Sequence, residues 1–137
     1  MSWGERGLLA EAVVCLGVAR VLIVFFPFRR LAPFLGEPRA ETPATPLAGR
    51  EAFLRKLTWA LRAAGRRLPW RCMCLEQAVA GRLMLRRRGI PYTLYLGTDR
   101  KDDGLVAHAW LRTGDYIVTG AAGRERFVVM LTIAGGG

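Results

Sequence analysis

At Gly89 the hydrophobic period of this chain changes from 3.6 residues to 2, and that switch limits the folds open to it. Before it, apolar residues recur at helical spacing. Leu9, Ala12, Val13, Leu16, Ala19 and Ile23 share one stripe, and Leu54, Leu57, Leu61 and Ala64 share another. Cys74, Ala78, Gly81 and Leu85 form a third, whose small members let a helix lie close against another layer. After Gly89, Tyr92, Leu94 and Leu96 alternate with Thr93 and Tyr95, and Ala107, Ala109 and Leu111 alternate with His108, Trp110 and Arg112. Helices first and strands afterwards predict an α+β domain, with a small antiparallel sheet packed against the helix that starts near Cys74. A chain of 137 residues suits one such core.

Proline and glycine divide the chain. Pro27 ends the first helix, because proline cannot continue the hydrogen-bond ladder. Pro33, Pro38, Pro43 and Pro46, with Gly36 and Gly49, predict an extended linker. The expected organisation is an N-terminal amphipathic helical segment over 1–32, a Pro-rich linker over 33–49 and the main domain over 50–137. Within that domain a helix is expected over 50–66. Another runs from Cys72 or Cys74 to Arg88, with Gly89 as its left-handed stop. A polar loop at 98–104, a tight turn at Thr113-Gly114-Asp115, a returning strand at 116–119 and a last strand at 126–133 complete the expectation.

Residues 8–28 are the most apolar stretch and are long enough to cross a bilayer. Glu11 and Arg20 interrupt them, however, and a central Arg costs roughly 2.5–3.5 kcal/mol on insertion scales. The expectation is a helix that docks on this protein or a partner, without membrane contact. No small-residue cleavage site follows the run, which ends in Phe-Phe-Pro-Phe-Arg-Arg. The three cysteines are an odd number, which argues against a disulfide framework and for the cytoplasm.

The net charge is +10, and all but Lys56 and Lys101 of the 21 basic residues are Arg. Such a surface suits an acidic partner, but the Arg residues are spread along the chain, as a compositional bias would spread them. No nucleic-acid motif or cluster of stacking aromatics accompanies them, so no nucleic-acid partner is expected.

The chemistry-bearing residues are few. His108 is the single histidine, central in a strand between two alanines, and Cys74 opens the helix expected to pack on that sheet. A thiol hydrolase needs both. The thiolate attacks a carbonyl, and the imidazole takes the thiol proton and later protonates the leaving amine. At a helix N-terminus, unpaired N–H groups stabilise a thiolate and an oxyanion. The plainer alternative is a satisfied core histidine and a small cysteine filling a gap. A triad would also need a group to orient the imidazole. Asp115 lies in the hairpin turn, about six residues or on the order of 20 Å up the strand from His108. A backbone carbonyl, Thr119 or an acid from elsewhere could take the role. A Cys₃His zinc site from Cys15, Cys72, Cys74 and His108 is a further alternative, disfavoured by the Cys-x-Cys spacing.

Cys74-Leu75-Glu76-Gln77-Ala78-Val79-Ala80, Leu83-Met84-Leu85-Arg86-Arg87-Arg88-Gly89-Ile90-Pro91, Leu94-Tyr95-Leu96-Gly97 and Ala107-His108-Ala109-Trp110-Leu111 together resemble the lasso-peptide leader peptidases, the protease half of the lasso maturation proteins. The likeness covers roughly residues 50 to 133, with an echo in Pro27-Phe28-Arg29-Arg30-Leu31. It implies a transglutaminase-like (papain-like) core and a cysteine endopeptidase with Cys74 as nucleophile and His108 as base. The implied substrate is a ribosomally made precursor peptide, whose leader is removed before a separate cyclase closes the ring. The implied partners are a leader-recognition protein, for which this chain has no domain, and the cyclase. The resemblance allows ATP dependence, although no phosphate-binding loop or other cofactor site is visible. Cys72 does not match the motif. The Asp usual in the family falls near Gly120, where this chain reads Val-Thr-Gly.

Overall fold

A computed structural model describes residues 2–69, 74–101 and 104–135. Helix α1 (Trp3–Phe25) opens on a capping box: Ser2 Oγ accepts from the Glu5 N–H, and the Glu5 carboxylate accepts from the Ser2 N–H. It ends just before Pro27, which then starts α2 (Phe28–Leu35), a short helix that the sequence pattern did not announce. Helices α3 (Glu51–Arg67) and α4 (Cys74–Arg87) follow. Gly89, at φ +65°, is the left-handed stop expected after α4.

Strands β1 (Glu37–Pro38), β2 (Tyr92–Lys101), β3 (Gly104–Thr113), β4 (Tyr116–Thr119) and β5 (Val128–Gly135) form one sheet in the order β1-β5-β2-β3-β4. Every pairing is antiparallel, so the α+β class holds. β2 and β3 form a longer hairpin than expected. The polar stretch at 98–104 still ladders, with Thr98 opposite Ala107 and Arg100 opposite Leu105. Ladder bonds belong to the backbone, and side-chain polarity does not prevent them.

One cluster of buried residues joins the helices and the sheet. Leu8, Ala12 and Leu16 of α1 are buried in the same cluster as Leu57 of α3, Val79 of α4 and Leu111 of β3. The helical stripe that predicted α1 is the face that docks on α3 and α4. The Pro-rich stretch is tied down as well. Pro38 pairs with Ile133, and the Thr42 N–H donates to Thr93 Oγ1. The guanidinium of Arg112, which is 8% exposed, donates to the carbonyls of Thr42, Pro43 and Gly114. Buried Arg82 likewise donates to the carbonyls of Phe34 and Leu35. Proline-rich backbone offers acceptors that no ladder satisfies, and a five-donor guanidinium can serve several at once.

These contacts fix α4 over β3. Ala109 and Leu111 turn toward the helix, as the alternation predicts. Gly81 allows the approach: a Cβ there would lie 2.7 Å from Leu111 Cδ2.

Candidate active site

Cys74 is the first residue of α4, and the close packing of α4 on the sheet carries its side chain to β3. The N–H of Ala109 donates to Cys74 Sγ over 3.4 Å. The sulfur therefore meets the strand at the residue directly after His108. Pairing of β3 with β4 stops two residues earlier, at Leu111 opposite Thr119, where the register shifts. The thiol thus lies at the sheet end that β4 does not reach.

His108 projects from the strand on the side of Trp110, two residues on, by the period of the strand. Its ring stacks on Trp110 at a centroid distance of 5.7 Å and tilts against Phe127 at 5.0 Å. Trp110 is itself stacked on Tyr95, at 5.4 Å and 7°. Across the strand pair, His108 faces Gly97, and a Cβ there would lie 2.9 Å from Phe127 Cβ and 3.0 Å from the Trp110 ring. The glycine in mid-strand makes room for the rings that hold the imidazole.

The imidazole is oriented by backbone. Its Nε2 lies 2.7 Å from the carbonyl oxygen of Gly120. A carbonyl only accepts, so Nε2 carries the proton and Nδ1 is left as the acceptor of the neutral ring. Gly120, at φ +72°, turns its carbonyl into this position just after β4 ends. No L-residue would fit easily: a Cβ would stand 2.4 Å from the Ala109 carbonyl oxygen and 2.9 Å from Trp110 Cβ.

Of the orienting groups the sequence left open, the structure supplies the backbone carbonyl. Thr119 is not the one; Gly81 of α4 lies close to its methyl, and its hydroxyl finds no hydrogen-bond partner among the described residues. Asp115 stays exposed in the turn between β3 and β4. Glu76, in the first turn of α4, is 2% exposed and accepts from Arg20 Nη1 of α1 at 2.9 Å, which ties the helix tip to α1. Neither this ion pair nor the aromatic shelf of Tyr95, Trp110 and Phe127 was picked out from the sequence. The shelf left one visible signal, the single glycine Gly97 inside β2.

Cys15 is buried in α1, and burial pushes its thiol pKa up. Among the described residues no three His, Cys, Asp or Glu side chains lie together. Cys72 lies outside the described residues.

The Cys74 thiol at the tip of α4 thus meets β3 at the residue after His108, within an α+β domain. The chain belongs to the transglutaminase-like superfamily, which it matches over residues 12–132 and which includes cysteine peptidases. The match begins within α1, at Ala12. Neither a curated protein nor a solved structure matches the chain significantly.

Proposed function

We propose that this chain is a cysteine endopeptidase that removes the leader from a ribosomally made lasso-peptide precursor. One observation carries the chemistry: Cys74 Sγ sits on the Ala109 N–H while the neighbouring His108 is held as the Nε2–H tautomer by Gly120. In this proposal Nδ1 of His108 takes the thiol proton, and Cys74 attacks the scissile carbonyl carbon. The N–H groups of the first turn of α4 face the resulting oxyanion. The C–N bond breaks, the imidazolium protonates the leaving amine, and water then hydrolyses the thioester with His108 as base again. The lasso-leader substrate, the recognition protein that delivers it, the cyclase that follows and the cytoplasmic location rest on the sequence resemblance, and superfamily membership supports the peptidase class.

The test is a precursor peptide incubated with this chain, with and without a leader-recognition protein, and analysed by mass spectrometry. Cleavage that needs the partner and is lost in Cys74→Ala supports the proposal; cleavage that survives Cys74→Ala refutes it. The carbonyl in place of a carboxylate favours a second reading, a non-catalytic module that holds a peptide or scaffolds the cyclase. That reading predicts precursor binding with no cleavage under any of these conditions.

A further inference from the structure

The outward side of α1 is apolar and lies open. Val14, Val18, Val21 and Phe25 follow one another at helical spacing on the side away from the core, and Val14 and Phe25 are 64% and 73% exposed. The two charges that argued against a membrane are both held by the domain, including Glu11, which stands three residues before Val14. Glu11 pairs with Arg87 and Arg88 of the domain, and Arg20 with Glu76.

Two clefts that share Phe34 lie beside these helices. One, of about 300 Å³, lies between α1 and α2 and is lined by Leu22, Phe26, Arg30, Leu31 and Phe34. The other, of about 420 Å³, is basic, with Arg82, Arg86 and Arg87 beside Phe34 and Leu83. An apolar trough that opens onto a cluster of guanidinium groups is complementary to an amphiphile with an anionic head. Arg82 is taken up by the carbonyls of Phe34 and Leu35, and Arg87 by Glu11 of α1, so Arg86 and Arg30 are the guanidinium groups of the two clefts that would meet the head.

We propose that α1 and α2 lie flat on an anionic bilayer surface, with the α1 stripe and Phe34 at the acyl boundary and Arg30 and Arg86 on lipid phosphates. α1 is long and apolar enough to span a bilayer. Its inner face is taken up by α3 and α4, however, and Glu11 and Arg20 are paired to the domain, so the helix lies on the surface without crossing it. The chain's charge of +10 adds attraction at longer range.

Vesicle flotation of the full chain tests this, with phosphatidylcholine vesicles alone or carrying about one-third phosphatidylglycerol. The expected result is binding to the anionic vesicles only, reversed by high salt. Arg30→Gln and Arg86→Gln should each weaken it about fivefold, and Val21→Asp about tenfold or more. Arg124→Gln with Arg126→Gln, on the turn beside Phe127, should leave binding within about twofold. Val21→Ser serves if the aspartate variant melts early. The proposal is overturned if binding ignores lipid charge, or if the Arg124 and Arg126 changes weaken it as much as the α2 and α4 ones. It is also overturned if the chain ignores vesicles and instead forms a dimer that Val21→Asp dissolves. These readouts do not depend on peptidase activity.

Discussion

His108 Nε2 and the Gly120 carbonyl oxygen are 2.7 Å apart, so the backbone of this protein holds the imidazole where a carboxylate would serve in a triad. A carbonyl orients the ring and fixes its tautomer, but it is a dipole and stabilises the imidazolium less than a full charge does. The arrangement depends on the left-handed φ of +72° at Gly120. Gly120→Ala places a Cβ 2.4 Å from the Ala109 carbonyl oxygen, at a φ that costs a non-glycine residue about 1–2 kcal/mol. The variant should lose several degrees of Tm and nearly all peptidase turnover, with KM for the precursor little changed. A fall in stability with turnover intact would show that the carbonyl does not orient the ring.

The two described cysteines should separate sharply by reactivity. Cys15 is buried in α1 with its thiol pKa raised, mainly by desolvation, and burial also hides it from reagents. Cys74 is half-buried at a helix tip and receives an N–H. Brief alkylation at neutral pH followed by peptide mapping should mark Cys74 and spare Cys15. His108→Ala should slow the labelling of Cys74, because the base that takes the thiol proton is gone. Equal labelling of the two would leave Cys74 an ordinary thiol and favour the binding-module reading.

Much of this scaffold was legible because its signals are local. The stripe at Cys74, Ala78, Gly81 and Leu85 announced a helix lying close on a sheet, and Gly81 sits against Leu111. The alternation around His108 announced a strand, and Thr113-Gly114-Asp115 gave its hairpin. What escaped were non-local arrangements. Proline spacing reads as a linker, and nothing in 33–49 says that Arg112, some seventy residues away, holds its carbonyls. An apolar helix broken by Glu11 and Arg20 reads as a separate segment until Arg87, Arg88 and Glu76 are seen opposite those charges. The bond from His108 to Gly120 could be only one option among several, because the register shift between Leu111 and Arg112 is not written in side-chain pattern.

The Arg20–Glu76 pair links α1 to the first turn of α4, two residues from the thiol. Glu76 is 3% exposed at its side chain, and a hydrogen bond to a charged group contributes about 1.5–3 kcal/mol. Arg20 is 46% exposed, which places the loss in Arg20→Ala at the lower end, about 1–2 kcal/mol. Loosening the helix tip should also slow cleavage beyond what the lost stability accounts for. Arg20→Lys should recover most of the stability, since the charge remains. A variant that loses stability but cleaves at the full rate would show that α1 supports the fold without positioning the thiol.

Acid should release α1 from α4 through Glu11. Its carboxylate accepts from Arg88 Nη2 at 2.7 Å and from Arg87 Nη1 at 2.7 Å, and the hydrogen bond with Arg88 is the main reason its pKa lies below the ordinary value of 4.5. Burial opposes that shift without reversing it. A carboxyl whose folded pKa is depressed adds stability that is fully present above its unfolded pKa and is lost as pH falls through the folded one. The arginines stay charged throughout, so the change belongs to Glu11. Glu11→Gln should therefore cost about 1–2 kcal/mol near pH 7, where the native pair is ionised, and progressively less below pH 4.5. Urea unfolding of both proteins across this range measures the difference directly. A gap that stays constant as pH falls would show that packing around residue 11, and not its charge, holds the two helices together.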